Sequence, residues 1–168
     1  LREAKSILLT GATGFLGACL LDELLRATSD DTRIYCLVRT ESGSQADGYQ
    51  RIINTLKQYH LWNQETDERI IPVVGDLTKE YLGLSTKSFN GYAEKIDLVF
   101  HCAALVNLVY SYSVLKPATV NGTREILRFA FTSVSKPLHY TSTLGIFPPG
   151  DSGDRYLENN DIDCLVES

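Results

Sequence analysis

The residues that could do chemistry begin at position 10. Thr10-Gly11-Ala12-Thr13-Gly14-Phe15-Leu16-Gly17 sets three glycines at GxxGxxG spacing, directly after the apolar run Ile7-Leu8-Leu9 and before a stretch of helical period. A strand, a glycine turn and a helix in that order form the setting in which a dinucleotide pyrophosphate is held. Gly11 is expected to allow the tight turn, Gly14 to let the backbone approach the phosphates, and Gly17 to let the helix sit close on the sheet. The helix start adds free N–H groups and the positive end of a dipole. Thr10, Thr13, Phe15 and Leu16 are counted with the glycines as cofactor-binding. A glycine-rich turn with no ligand is the alternative, and the strand–turn–helix context argues against it.

Further along, the choice of dinucleotide is legible. A fold of this kind that binds NAD places Asp or Glu at the end of its second strand, against the ribose 2′-hydroxyl. This chain has Arg39 there, 28 residues after Gly11, followed by Thr40, with Glu41 past the strand end. A guanidinium pairs with a phosphate through two parallel hydrogen bonds, so Arg39 points to the 2′-phosphate of NADPH. Arg51, on the next helix, is placed to face the same phosphate, a solvated helix charge being its alternative. Gly75-Asp76-Leu77 ends the third strand, where Asp76 and the backbone of Leu77 can read the adenine amino group. His101-Cys102-Ala103-Ala104 ends the fourth, and Ala103 and Ala104 leave room for a flat cofactor. His101 itself is read as a satisfied strand-end histidine rather than a catalyst.

These motifs need a scaffold that gathers strand ends. Ser6–Thr10, Arg33–Arg39, Arg69–Val74, Ile96–His101 and Pro137–Thr141 read as strands, alternating with helix-period segments. Phe15 to Leu25 and Tyr49 to Tyr59 mark two of the helices, and Pro72 suggests an edge strand or a strand start. Pro117 is expected to open a further helix that buries Val120, Ile126, Leu127 and Ala130 and stops near Ser133. The expected fold is an α/β, Rossmann-type three-layer sandwich with a mainly parallel sheet of order 3-2-1-4-5.

Composition sets the outer bounds. The chain has 168 residues, 43% hydrophobic and 22% charged, which suits one soluble globular domain. Its net charge is −5, and residues 1–150 balance at 15 acidic against 15 basic side chains. The excess lies in residues 151–168, with Asp151, Asp154, Glu158, Asp161, Asp163 and Glu167 against Arg155 alone. An acidic balance without a basic stripe argues against a nucleic-acid partner. No apolar run reaches membrane-span length. Cys19, Cys36, Cys102 and Cys164 lie far apart with no His at metal-ligand spacing, so no metal site is expected and a reducing, cytoplasmic setting is. The chain opens on Leu1-Arg2-Glu3 and has no methionine, and is expected to be a piece of a longer protein. Residues 1–150 are assigned to an NADP-binding domain, and 151–168 to an acidic loop.

TGATGFLG, CLVR, GDL, HCAA and HYTSTLGIF together resemble an extended short-chain dehydrogenase/reductase. The Tyr59-His60-Leu61-Trp62, Leu82-Gly83-Leu84-Ser85 and Lys136-Pro137-Leu138-His139-Tyr140 stretches resemble, more narrowly, the thioester reductase domains that close nonribosomal peptide and polyketide synthetases and carboxylic acid reductases. The resemblance implies that an acyl or peptidyl thioester on a phosphopantetheinylated carrier protein is reduced with NADPH and released as an aldehyde or alcohol, and that the fold is truncated here before its C-terminal substrate-binding part. It implies that Thr143 is catalytic, hydrogen-bonding the substrate carbonyl as charge develops on its oxygen. Three departures accompany it. No Tyr-x-x-x-Lys pair follows Thr143, since Tyr156 has Asn160 four residues on, and the pair is expected beyond this chain. Tyr112 and Lys116 match the spacing but precede the helix before the fifth strand, and are read as a coincidence. Thr119 stands where the family has an asparagine, and Cys102-Ala103-Ala104 replaces Asn-Gly-Ala. A sugar-nucleotide epimerase or dehydratase, or a non-catalytic dinucleotide-binding module, remains the alternative.

Overall fold

A computed structural model describes residues 4–143. Five parallel strands form one sheet: β1 (Ser6–Thr10), β2 (Arg33–Val38), β3 (Ile70–Val74), β4 (Leu98–His101) and β5 (Leu138–Tyr140). Their order is β3-β2-β1-β4-β5, the expected one. β1 lies at the centre, all five of its residues buried, paired in register from Ser6↔Arg33 on one side and Ile7↔Leu98 on the other. β3 is an edge strand, so the missing N–H of Pro72 interrupts no further ladder.

Helices α1 (Phe15–Ala27) and α2 (Gln45–Gln58) cover one face of the sheet over Ile7, Leu9, Ile34 and Cys36. Burial in that apolar layer raises the Cys36 thiol well above its usual range, so it stays protonated. On the other face α3 (Thr86–Lys95) and α5 (Gly122–Phe131) pack Phe89, Ala93, Ile126 and Phe129 against Leu8, Tyr35, Leu37 and Val99. Arg69 closes the far end. It is buried and donates to the Leu25 and Thr32 carbonyls and to Thr28 Oγ1, joining the end of α1 to the start of β3.

Three expectations need correction. Pro117 does not open a helix. The helix begins with α4 (Tyr112–Lys116), continues through a π-helical turn (Pro117–Asn121) and runs into α5. Proline has no N–H to give, and the turn re-forms its ladder through the Gly122 N–H, which reaches back to the Pro117 carbonyl. This wide turn shifts the buried face of α5 to Gly122, Glu125, Ile126, Phe129 and Ala130. Ile126 and Ala130 are therefore buried as expected, but Val120 and Leu127 are 36% and 40% exposed. Finally, α3 has no counterpart in the sequence pattern: Thr-Lys-Ser-Phe-Asn-Gly-Tyr-Ala-Glu-Lys buries only Phe89 and Ala93, too few apolar positions to show a period. The expected loop at 151–168, with Cys164, Tyr156 and Asn160, lies outside the described residues.

Candidate functional site

Because every strand runs the same way, the turns after β1, β2, β3 and β4 emerge along one edge of the sheet. They enclose a cleft of about 370 Å³ lined by Gly11, Thr13 and Gly14 from the first turn, Leu37, Val38 and Arg39 from the second strand end, and Arg51 from α2. Gly75, Asp76, Leu77 and Thr78 follow β3, Cys102, Ala103, Ala104 and Leu105 follow β4, and Val114, Pro117 and Ala118 close it from the helix that starts at Tyr112.

The glycine turn has a reason at each position. Gly11 has φ +85°, which favours glycine, and a Cβ there would lie 2.9 Å from the Ala103 nitrogen. At Gly17 a Cβ would sit 2.0 Å from the Gly11 carbonyl oxygen, so this glycine lets α1 close against the turn itself rather than against the sheet. Gly14 differs. Its φ of −105° suits any residue, and a Cβ there would meet only the Gly11 oxygen, at 3.4 Å. Neither backbone strain nor protein packing demands glycine at 14. The space above it faces the cleft, and what glycine spares there is room for a ligand. Gly14 also caps α1 without a side-chain hydrogen bond, so helix geometry leaves the Phe15, Leu16 and Gly17 N–H groups without intrahelical acceptors. This donor set suits a pyrophosphate.

Arg39, exposed, stands just past the end of β2, and the Arg51 Nη1 donates to its carbonyl oxygen, so the two guanidinium-bearing residues meet at one end of the cleft. Glu41 does not line it. Across the cleft Asp76 Oδ1 accepts from the Thr78 N–H at 2.9 Å and from Thr78 Oγ1 at 2.8 Å. Partial burial pushes this carboxyl up, but the two Thr78 hydrogen bonds and the positive charges of Arg39 and Lys79 outweigh it, leaving Asp76 below its usual range and ionised.

Thr10 and His101 lie beneath the cleft, both fully buried. The Ala103 N–H donates to Thr10 Oγ1 at 3.2 Å, and Thr10 Oγ1 lies 2.6 Å from His101 Nδ1. A hydroxyl that accepts from Ala103 can still either donate to Nδ1 or accept from it, so the partner of Nε2 decides the tautomer. Thr123 Oγ1, its proton given to a carbonyl, can only accept, which puts the proton of a neutral ring on Nε2. That nitrogen faces Thr123 Oγ1 at 3.3 Å, and Thr123 donates to the Thr119 carbonyl at 2.6 Å. Burial pushes the imidazole down to about 4, which agrees with a neutral ring. The chain of bonds ties the ends of β1 and β4 to the helix beside them. His101 is a satisfied strand-end histidine, as the sequence suggested.

The site therefore gathers Gly11, Thr13, Gly14, Arg39, Arg51, Asp76, Leu77, Ala103 and Ala104. It does not gather Thr10 and Gly17, which are buried behind it, or the side chains of Phe15 and Leu16, which are 66% and 50% exposed outside it. Phe15 instead meets the Tyr59 ring edge-on at 5.3 Å. Thr143 is exposed, three residues past β5. Tyr112 and Lys116 are exposed on α4, the ammonium 5.7 Å from the Tyr112 ring centre, and neither lines the cleft. Thr119 is half-buried, its Oγ1 without a hydrogen-bond partner among the described residues. Sequence reasoning missed Thr78, Pro117 and Ala118. The Asp-x-Thr spacing, which forms a side-chain-closed turn, was the available signal for the first.

Comparison with known proteins agrees with this geometry. The family described as Male sterility protein, an NAD-binding family, matches residues 9–161. A linear gramicidin synthase from Brevibacillus parabrevis is 48% identical over 145 residues, 86% of this chain but 3% of that protein. The crystal structure of the terminal R domain from the myxalamid PKS-NRPS biosynthetic pathway superimposes with a TM-score of 0.84 at 50% identity, over 89% of this chain and 37% of that one. A thiolation-reductase di-domain from an archaeal non-ribosomal peptide synthetase gives a TM-score of 0.68 at 28% identity, over 86% of this chain and 29% of that one. The chain thus spans a small part of the proteins it matches.

Proposed function

Since the chain belongs to the NAD-binding Male sterility protein family, we propose that it is the NADPH-binding part of a thioester reductase, which releases a carrier-bound acyl or peptidyl thioester as an aldehyde or alcohol. The nicotinamide dinucleotide follows from the family; NADPH in particular is our reading. The observation that carries it is the pairing of Arg39 with Arg51 at the end of β2, where an acid would otherwise hold a ribose hydroxyl. Similarity to a terminal R domain and to a thiolation-reductase di-domain supports the reaction and a phosphopantetheinylated carrier protein as partner. No helix among the described residues is long and apolar enough to cross a membrane. A cytoplasmic setting is our reading of the wide separation of the cysteines in the sequence.

In this reading a bound reduced nicotinamide supplies a hydride to the thioester carbonyl carbon. The chain's own residues do the rest. The turn from Gly11 to Gly14 and the first N–H groups of α1 hold the pyrophosphate, Arg39 and Arg51 the 2′-phosphate, and Asp76 with the Leu77 backbone the adenine. Ala103 and Ala104 leave the passage over β4 open. Thr143 donates a hydrogen bond to the substrate oxygen as negative charge builds there. We assign residues 1–150 to the NADP-binding unit; the acidic stretch 151–168 lies outside the described residues.

Fluorescence titration with NADPH and NADH tests the cofactor reading. NADPH should bind tighter by about tenfold or more, because a charge-assisted phosphate contact contributes about 1.5–3 kcal/mol. Equal affinities would overturn it.

A further inference from the structure

Tyr81, Leu82 and Gly83 have φ of +53°, +58° and +72° in succession. Together they make a left-handed turn in which two of the three residues carry side chains, a conformation L-residues adopt only at an energetic cost. Something must hold it, and something must need it.

The need is visible at Asp76. The Leu82 carbonyl accepts the Asp76 N–H at 2.7 Å, and a Cβ on Gly75 would come within 2.5 Å of that same oxygen. On Gly83 a Cβ would lie 3.1 Å from the Asp76 nitrogen. The turn is pressed against the two residues that leave β3 for the cleft. The hold comes from α5. Glu125, 9% exposed, accepts the Tyr81 N–H on Oε2 at 2.7 Å. Arg128, one turn on, steadies the carboxylate at 3.2 Å and sets its guanidinium 5.3 Å from the Tyr81 ring centre. Glu125 does not line the cleft itself.

We propose that Glu125 is a positioning residue for adenine recognition: through the Tyr81 N–H and the Leu82 carbonyl it fixes the left-handed turn that sets Asp76 in the cleft. The inference rests on the cofactor reading above, with Asp76 facing the adenine amino group. Discrimination at the purine 6-position then depends on a side chain of α5 that never meets the base. Recognition of the 2′-phosphate stands on β2 and α2, and Glu125 bonds to neither Arg39 nor Arg51.

The experiment is a fluorescence titration of the 168-residue chain with NADPH, NADH and the hypoxanthine analogue of NADPH, in which a carbonyl oxygen replaces the amino group. The parent should prefer adenine by about tenfold, the scale of one hydrogen bond with an ionised partner. Asp76→Ala should bring the two bases close to equal. Glu125→Ala removes the acceptor, and Glu125→Asp keeps the charge but shortens the reach; both should lower the adenine preference below about threefold. Glu125→Gln, whose amide oxygen can still accept from Tyr81, should keep it. In all three the preference for NADPH over NADH should stay at the parent value, which a general loss of folded protein could not produce selectively. Folded Glu125→Ala or Glu125→Asp with full adenine preference overturns the inference while leaving the cofactor reading intact. An unchanged Asp76→Ala overturns the adenine reading and the inference with it. Failure of both Glu125→Ala and Glu125→Asp to fold would make Glu125 a structural residue only, and also overturn it.

Discussion

Arg39 and Gly14 both line the cleft, and in the proposed reading their substitutions separate two kinds of effect. Arg39→Ala removes a guanidinium from an exposed position, so the fold should stand while the NADPH preference shrinks by about tenfold. Parallel titrations with NADPH and NADH check it, and the NADH curve should hardly move. Gly14→Val leaves a φ of −105° that valine adopts readily, so it too should fold. Its branched side chain enters the space above the turn, and affinity for both cofactors should fall together by at least tenfold; unchanged binding would place the ligand elsewhere. These residues were legible in the sequence because a turn's glycines and a strand's terminal charge are local facts. The reason for Gly17 was read less well. Its neighbour is the Gly11 carbonyl, a contact made only when α1 folds back on the turn.

Among the elements, strands were read more truly than helices. β1 is buried along its whole length, and its run of apolar residues says so without help. The helix from Tyr112 to Phe131 misled because an α-period of 3.6 was carried through Pro117, where the backbone widens to a π turn. Val120 and Leu127 then fall outside, and the polar Glu125 falls inside, where the turn at Tyr81 gives it a partner. Arg69 shows the converse: a charged residue at a strand start that folding buries as a clamp for the end of α1. Arg69→Ala should leave the Leu25 and Thr32 carbonyls and the Thr28 hydroxyl short of a donor, and cost about 3 kcal/mol in urea-induced unfolding. Arg69→Lys should recover only part, since one ammonium cannot span three acceptors set out for a planar fork.

At the scale of the whole molecule, His101 links stability to pH. Its folded value of about 4 lies below the ordinary 6.5, so the folded state binds fewer protons than the unfolded one between them. The stability this gives is complete above pH 6.5 and is lost as pH falls toward 4, by about 3 kcal/mol. The upper part of the window, above about pH 5, lies clear of the ordinary carboxylate range. Urea melts from pH 7 to about 4 should show the decline, and His101→Gln should flatten it. Turnover is also a property of the whole. With no Tyr-x-x-x-Lys after Thr143 to donate a proton, the 168-residue chain should bind NADPH yet oxidise none with an acyl-pantetheine thioester, general acid help being worth about 10²–10⁴-fold. Measurable oxidation would reopen the case for Tyr112 and Lys116. The order of the sheet has one more consequence, for the chain as it is made. β1 emerges first, yet its second neighbour β4 follows some ninety residues later, and the Thr10–His101 bond under the cleft waits for it. Until then a ribosome-bound chain presents the open edge of a central strand with an apolar Ile7-Leu8-Leu9 core, a template for wrong pairing. A nascent chain arrested before Ile96 should therefore be captured by chaperones and hold no dinucleotide, and one arrested well past Tyr140 should release the first and bind the second.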